Sequence, residues 1–358
     1  MHLSWRVLRW GLALGVLAVI AECFLRPELR QARFPVLAQL RPGWLAAGTL
    51  LAGASLCCYS LLTRSLLPAR SLRLGTIVRI DLACTALCHA VPGGSTASAA
   101  LGYRLFTSRG VKPRDMFFVL ACQGPGASLV LNVLLWGALA AALPVTGFQP
   151  AYLAAGIAGA AGLVLAGGLC VLLARDGERA VRLVRAAAAR IPRLTAEDAE
   201  RPVRAFAASA RSFCRDRRRA RRALAWAAAY WLLQAGSLWC FAASLGRYPD
   251  PAVLFAAFGA ASVAAALPLT PAGLGVVEAT LPLLLTAGGI TAGTAMAAVL
   301  GWRLASYWLP ILAGGIAYAS LHLLPGGPAT ARDRAGRGLA APGTTLIAGP
   351  APIGVSGE

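Results

Sequence analysis

Six side chains that can bind charged groups lie within or beside long apolar stretches of this sequence. They are Asp81, Ser95, Thr96, Arg104, Glu278 and Arg303. Ionisable side chains are costly inside a hydrocarbon layer, so they usually pair with one another or line a polar route. Arginine binds phosphate well, and a carboxylate can hold that arginine or bind a cationic group. The chemistry that these residue types indicate is the recognition of a charged headgroup.

Glu278 and Arg303 form the most suggestive pair. Glu278 should lie in the first or second turn of a helix, and Arg303 lies too deep in the last apolar run to reach water easily. Pairing would lower the desolvation cost of each charge. Two interpretations stay open, which are a structural ion pair and an arginine that exchanges Glu278 for a lipid phosphate.

Residues 92–96, of sequence Pro-Gly-Gly-Ser-Thr, could form a second polar site. Ser95 could cap a helix that begins there, and the free N–H groups of that helix N-terminus would favour an anion. A tight turn that only packs on its neighbours is the alternative. Further along, Arg104 either binds a headgroup or extends to the membrane surface, and Asp81 could balance its charge.

Composition places these residues in an integral membrane protein of the all-α class. The chain is 58% hydrophobic and 13% charged, with a mean hydropathy of +0.66. Apolar runs of the length that crosses about 30 Å of hydrocarbon predict six full spans. These spans lie at about 8–25, 43–62, 116–143, 152–174, 223–246 and 294–323.

Two further apolar stretches, at about 77–106 and 252–290, are broken near their middle. The residues that we expect to form the turns are Pro92, Gly93, Gly94, Pro271, Gly273 and Gly275. Each half is too short to cross the membrane, and irregular backbone at that depth must be buried in protein or face a wet cavity. Both stretches are therefore predicted to be re-entrant helical hairpins.

The two hairpins occupy matching places in two halves of the chain, at about 1–143 and 152–324. Three crossings in each half would invert the second copy relative to the first, so the hairpins would enter from opposite faces. This arrangement is the inverted repeat of many transporters, whose substrate sites lie between the repeats. A chance recurrence of the Pro/Gly pattern is the alternative.

The chain has a net charge of +20, and the distribution of its basic residues along the sequence agrees with the predicted topology. Basic loops face the cytoplasm in membrane proteins, which places both termini there and the chain in the cell (inner) membrane, although segment 26–42 opposes this orientation. Segment 175–222 predicts either an amphipathic helix on the inner leaflet or charge that only sets topology. Its basic face would comprise Arg204, Arg211, Arg215, Arg218 and Arg222, opposite Val203, Phe206, Ala210 and Phe213. Residues 325–358 predict a disordered tail.

No catalytic, nucleotide or cofactor motif is evident, so we expect a protein that is not an enzyme and needs no cofactor. Cys84, Cys88 and His89 could hold a soft metal, but three such residues in an apolar segment are more often simply buried. We therefore expect no metal site. Since the positive charge lies between apolar runs, we also expect no nucleic-acid partner.

The stretch Leu267–Glu278, with Gly301–Pro310 and Gly314, carries a family resemblance. It resembles the flippase-like transmembrane domain of lysylphosphatidylglycerol synthases, over about residues 5–323. The looser first motif of that domain is similar to Pro92-Gly93-Gly94, Tyr103-Arg104 and Gly110-Val111. The usual Pro-Gly-Gly of the second motif has alanine at position 272, which predicts a slightly stiffer turn.

The resemblance implies a function. In bifunctional members this domain moves an aminoacylated phospholipid from the inner to the outer leaflet, and a separate cytosolic domain makes that lipid. We expect a stand-alone member without synthase activity, in which Glu278 and Arg303 line the lipid path and Arg104 lies at its cytoplasmic mouth. The expected partners are membrane phospholipids or polyprenyl-linked lipids. The alternative is a non-catalytic accessory protein that presents a lipid to a separate glycosyl- or aminoacyl-transferase.

Overall fold

A computed structural model describes residues 40–68, 72–91, 93–147, 196–265 and 271–323, together with isolated positions between 154 and 182. All regular structure in these residues is helical, as predicted. The predicted span at 8–25, most of segment 26–42, most of the span at 152–174 and the tail 325–358 lie outside the described residues.

The described residues form ten α-helices, one short 3₁₀ turn and one π-helical segment. In chain order they are α1 (Pro42–Leu66), α2 (Leu74–Ala90), α3 (Gly94–Thr107), α4 (Pro113–Thr146), α5 (Ala196–Arg215), α6 (Arg217–Ser244), α7 (Pro251–Ala265), the 3₁₀ turn (Pro271–Gly273), α8 (Val276–Ala287), α9 (Ala292–Arg303), the π segment (Leu304–Trp308) and α10 (Leu309–Leu323).

Three helical stretches in the described part are long and apolar enough to cross a membrane: Pro42–Leu66, Pro113–Pro144 and Ala292–Leu321. They coincide with three of the predicted spans, since an unbroken apolar run of this length is the signal of a spanning helix. Helix α6 covers the predicted span at 223–246 and packs extensively along α1. It begins with several arginines and is less apolar, so its crossing of the membrane stays a prediction.

Both broken stretches form pairs of short helices. The first hairpin consists of α2 and α3, with 17 and 14 residues, and the second of α7 and α8, with 15 and 12 residues. At 1.5 Å per residue they are about 25, 21, 22 and 18 Å long, less than the hydrocarbon thickness of about 30 Å. The helices of each pair pack against each other. Their entry from opposite membrane faces stays a prediction.

The turn residues explain where each hairpin bends. Gly93 has a φ of +68° and precedes α3, and a Cβ on Gly94 would overlap the backbone of Cys88. In the second turn Ala272 has a φ of +44°, the one described non-glycine residue with positive φ. Because a Cβ disfavours this left-handed conformation, the alanine in place of the family's usual glycine makes this turn strained.

Helix α7 forms the centre of the larger of two buried clusters. Every residue from Val253 to Ala261 is buried, because α7 packs against α4 on one side and α8 on another. A helix that is apolar all round is expected to be enclosed in this way. On the other side of the molecule α10 packs on α2, and the missing side chain of Gly314 lets it approach the α2 backbone at Leu82.

The basic segment departs from the sequence expectation. The predicted single basic face through Arg222 is wrong, because Asp216 leaves the helical conformation and caps α6 by accepting from the N–H of Arg219. Phe206 and Ala210 of α5 are buried, with the Phe206 ring 5.7 Å from Phe118 of α4. The apolar face of α5 therefore packs on protein rather than on a leaflet.

Arg219 ties the start of α6 to the end of α1. Its Nε and Nη2 donate to the carbonyls of Ser65 and Leu66 at 2.7 and 2.6 Å. These carbonyls belong to the last turn of α1 and have no partner within that helix, so the cationic group satisfies them and complements the negative end of the helix dipole.

Candidate functional site

The two hairpins border one cavity of about 1060 Å³. The first hairpin contributes Asp81 and His89, and the second contributes Ser262 and Thr280. Arg303 at the end of α9 also lines the cavity, together with residues of α1, α4 and α6. A mostly apolar wall with a few separated polar groups is the usual composition of a ligand site.

Arg303 provides a positive charge on the cavity wall. The residue is only 7% exposed, and its Nε donates to Glu278 Oε1 at 2.5 Å. Its Nη2 donates to the carbonyl of Gly273 at 3.3 Å, and its Nη1 bonds to none of the described residues. Since a guanidinium has five N–H donors, several stay available to a ligand. The pairing that the sequence suggested is present, and Glu278 lies behind Arg303 rather than on the cavity wall.

Glu278 is held by the turn before α8. Its second carboxylate oxygen accepts from the backbone N–H of Gly275 at 2.6 Å, which satisfies a donor at the start of the helix. Glu278 therefore fixes Arg303 with one oxygen and the turn of the second hairpin with the other. This geometry joins the second hairpin to the last apolar helix.

Tyr307 extends this connection to the first hairpin. Its ring stacks on His89 with centroids 4.5 Å apart and planes at 4°, and the Arg303 guanidinium carbon lies 4.8 Å from the ring centroid. The Tyr307 hydroxyl donates to the His89 carbonyl at 2.7 Å. We call the chain of contacts Glu278, Arg303, Tyr307 and His89 the interhairpin bridge. It passes through the π segment, a feature often found at functional sites.

Asp81 lies on the cavity wall in a neutral polar cluster. It is 5% exposed and accepts from the Thr63 hydroxyl at 2.9 Å and, at 3.5 Å, from the Gln123 amide nitrogen. Its predicted role of balancing Arg104 is wrong. Asp81 makes no ion pair with any residue that the structure describes, and Arg104 is exposed near the end of α3.

Neutral polar groups also line the cavity. Gln234 accepts from the indole N–H of Trp302 at 3.3 Å. Asn132, at 8% exposure, and Ser306 each have a buried side-chain oxygen that accepts no hydrogen bond from the described residues. Buried polar atoms normally have partners, so these oxygens are candidate acceptors for a ligand or water.

Besides Glu278, three of the predicted headgroup ligands lie away from the cavity lining: Ser95, Thr96 and Arg104. Ser95 and Thr96 are exposed in the first turn of α3. The expected Ser95 cap is wrong, because α3 begins one residue earlier, Gly93 occupies the cap position and no side chain caps the helix. Headgroup binding by these three residues stays a prediction.

Cys84, Cys88 and His89 all line the cavity. Within the described ranges no group of three metal-ligand side chains is close enough to hold an ion. His89 Nδ1 lies 3.2 Å from the Tyr307 carbonyl, so one ring nitrogen is engaged in the interhairpin bridge.

Sequence reasoning missed most of the polar side chains that line the cavity or contact its lining residues. Tyr307, Thr63, Gln123, Gln234 and Asn132 all lie within apolar helices. A polar side chain in an apolar helix is a detectable signal, but it does not tell which helices face each other. Only the packing of α1, α2 and α4 brings Thr63 and Gln123 to Asp81.

Comparison with known families accords with this architecture. A family model described as the lysylphosphatidylglycerol synthase TM region matches residues 6–314. This chain belongs to that family. A search of curated proteins gives no match. Together with its apolar helices, membership identifies a membrane protein and is consistent with a lipid-related membrane function.

Proposed function

We propose that this protein moves a phospholipid or lipid-linked headgroup between the leaflets of the cell membrane, in the manner of a flippase. The observation that carries the proposal is that both hairpins border one cavity in which Arg303 presents uncommitted donors. Family membership supports it, since a membrane domain of this family is consistent with work on lipids. Both termini would face the cytoplasm.

The headgroup phosphate would bind Arg303. Glu278 holds the guanidinium by Nε, and the Tyr307 ring supports one of its faces, so the Nη groups are oriented before the ligand arrives. Phosphate oxygens match the planar donor array of a guanidinium. Because the side chain is pre-ordered, little entropy is lost on binding.

The cavity suits a headgroup rather than a complete lipid. Pockets for drug-sized ligands have volumes of roughly 300–1,000 Å³, and a polar headgroup falls within that range. The acyl chains would stay in the bilayer, so only the headgroup needs a polar route. Asn132 and Ser306 offer acceptors to headgroup hydroxyl or amino groups.

The two hairpins would provide alternating access. In the proposed topology they are re-entrant, enter from opposite faces and belong to inverted halves, as in transporters with a site near the membrane centre. The interhairpin bridge joins them through Tyr307 and His89. A change in the contacts of Arg303 on headgroup binding would therefore act on both hairpins.

Reconstitution tests the proposal. Phosphatidylcholine vesicles would carry the full-length protein and a trace of fluorescent phosphatidylglycerol, phosphatidylethanolamine or polyprenyl phosphate, with a membrane-impermeant quencher outside. We expect faster loss of inner-leaflet fluorescence for at least one lipid class. Arg303→Ala should abolish this acceleration, whereas Arg211→Ala, at an exposed position of α5, should preserve it.

The outcomes separate transport from the accessory role. If the protein binds one lipid class but accelerates exchange of none, the accessory function is favoured and transport is refuted. We propose no enzymatic step. Chemical conversion of the fluorescent lipid during the assay would contradict that view, and thin-layer chromatography of the recovered lipid would detect it.

A further inference from the structure

Asp81 is an acidic side chain on the cavity wall, and it has no role in the proposed binding of lipid at Arg303. It lies on α2 of the first hairpin, at 5% exposure, whereas Glu278 stays behind Arg303. His89 follows Asp81 by eight residues on the same helix, which places the acid about 12 Å along the helix axis from the interhairpin bridge.

Every group that faces Asp81 among the described residues is neutral. The Thr63 hydroxyl from α1 and the Gln123 amide from α4 donate to it. The titratable neighbours are Tyr59 on α1 and Cys84 on α2, both uncharged at neutral pH. Beyond them lie Cys88 of α2 and Tyr230 of α6, which are uncharged as well. No basic side chain in the described part of the chain neutralises Asp81.

Burial without a counter-charge disfavours the ionised carboxylate by several kcal/mol, whereas the Thr63 and Gln123 donors stabilise it. A further negative charge in the cavity would therefore shift this balance toward uptake of a proton or a metal cation. Of the two, a proton fits the surroundings of Asp81 better. Sodium-like hard cations need several oxygen ligands, whereas Thr63 presents its O–H and Gln123 its N–H₂ to the acid. The open side of Asp81 faces the cavity, where a proton can be exchanged with water.

We propose that Asp81 binds a proton when the cavity holds an anionic headgroup and releases it when the cavity empties, so that lipid movement is coupled to proton movement in the same direction. This inference rests on the proposed function. Arg303 and Glu278 neutralise each other, so the ionised Asp81 gives the empty cavity a net charge of −1. A phosphate adds another, and protonation of Asp81 removes one. By linkage, each ligand then favours the other.

A pH gradient across the vesicles tests the coupling. With one proton per lipid, a gradient of one pH unit can sustain at most a ratio of about tenfold between the leaflets. We expect wild-type protein to shift fluorescent phosphatidylglycerol several-fold toward the alkaline side. Asp81→Asn, isosteric and permanently neutral, should keep lipid exchange but distribute the lipid evenly. Asp115→Asn, at the start of α4 outside the cavity, is the matched control and should behave as wild type.

The outcomes distinguish the two proposals. Wild-type protein that exchanges no lipid refutes the proposed transport. Exchange that is insensitive to the pH gradient in wild type refutes only the role of Asp81. A bias that follows a sodium gradient instead overturns the choice of a proton.

A second measurement avoids reliance on the variant. Wild-type protein in weakly buffered detergent is titrated with phosphatidylglycerol in the presence of a pH-sensitive dye. Uptake approaching one proton per bound lipid is expected. Binding without proton uptake overturns the inference, whether or not Asp81→Asn folds.

Discussion

Replacing Glu278 by glutamine removes one charge and almost no volume. The contact between glutamine Oε1 and Arg303 Nε can persist, but it changes from a charge-assisted to a neutral-acceptor hydrogen bond, a loss of about 1 kcal/mol. The amide nitrogen cannot accept from the Gly275 N–H, now bonded at 2.6 Å, which removes about 1 kcal/mol more. We expect the variant to be less stable by about 2 kcal/mol.

The same substitution should strengthen phosphate binding. A phosphate on the Nη groups of Arg303 would lie roughly 6 Å from the Glu278 carboxylate. With an effective dielectric constant of about 40, appropriate to a wet and partly exposed site, the repulsion between the two charges is about 1.4 kcal/mol. Its removal should lower the Kd for an anionic lipid about tenfold.

Thermal unfolding in detergent and titration with phosphatidylglycerol measure the two effects. Asp250→Asn is the matched control, since Asp250 caps α7 through the N–H groups of Ala252 and Val253 but lies outside the cavity lining. Asparagine keeps the Oδ1 that accepts both bonds and caps a helix as well as aspartate, so this charge-removing control should lose little stability and show no change in Kd. Weaker lipid binding in Glu278→Gln would refute the reasoning, because it would mean that the Glu278 carboxylate contributes more by orienting Arg303 than it costs by repelling the phosphate.

Further predictions concern the turn, the helix contact and the cap. Ala272→Gly should stabilise the protein by about 1 kcal/mol because glycine adopts the left-handed backbone of this position without strain. Ala279→Gly, at an exposed position of α8, should destabilise the protein by about as much. Opposite shifts in Tm would confirm both expectations. Gly314→Ala should destabilise the protein by about 1–3 kcal/mol because its Cβ would overlap the α2 backbone. The adjacent Gly315→Ala should not, because that glycine has open space around it. Equal Tm values for the two variants would contradict the packing. Arg219→Ala should lower the unfolding free energy by about 1–2 kcal/mol through loss of the α1 cap, and an unchanged denaturation midpoint would argue against that role.

The interhairpin bridge predicts a further effect, on exchange rates. Arg303 contacts the second hairpin through Glu278 and Gly273, and Tyr307 contacts the first through His89. A ligand that draws the guanidinium toward the cavity must change contacts on both sides. Substitutions in the bridge should therefore alter exchange rates more than substitutions of equal stability cost in α5.

Several features followed from the sequence alone. Apolar runs at 43–62, 116–143 and 294–323 predicted helices that the structure contains, because an uninterrupted run of this length has few alternatives in a bilayer. The Pro/Gly breaks predicted two pairs of short helices, since these residues end or bend a helix locally. The pairing of Glu278 with Arg303 was predictable because two buried opposite charges at membrane depth are costly apart.

The tertiary structure decided which polar groups share a site. Arg104, Ser95 and Thr96 have suitable chemistry but lie away from the cavity, while Tyr307, Gln123 and Thr63 line it or contact its residues. Hydropathy reports how deep a residue lies, but it does not specify the rotation of a helix about its axis or the identity of its neighbours. The rotation and the neighbours of a helix depend on packing between distant parts of the chain, such as Gly314 against α2 and Phe206 against Phe118. The neutral surroundings of Asp81 and the bridge through Tyr307 could therefore be found only in the folded protein.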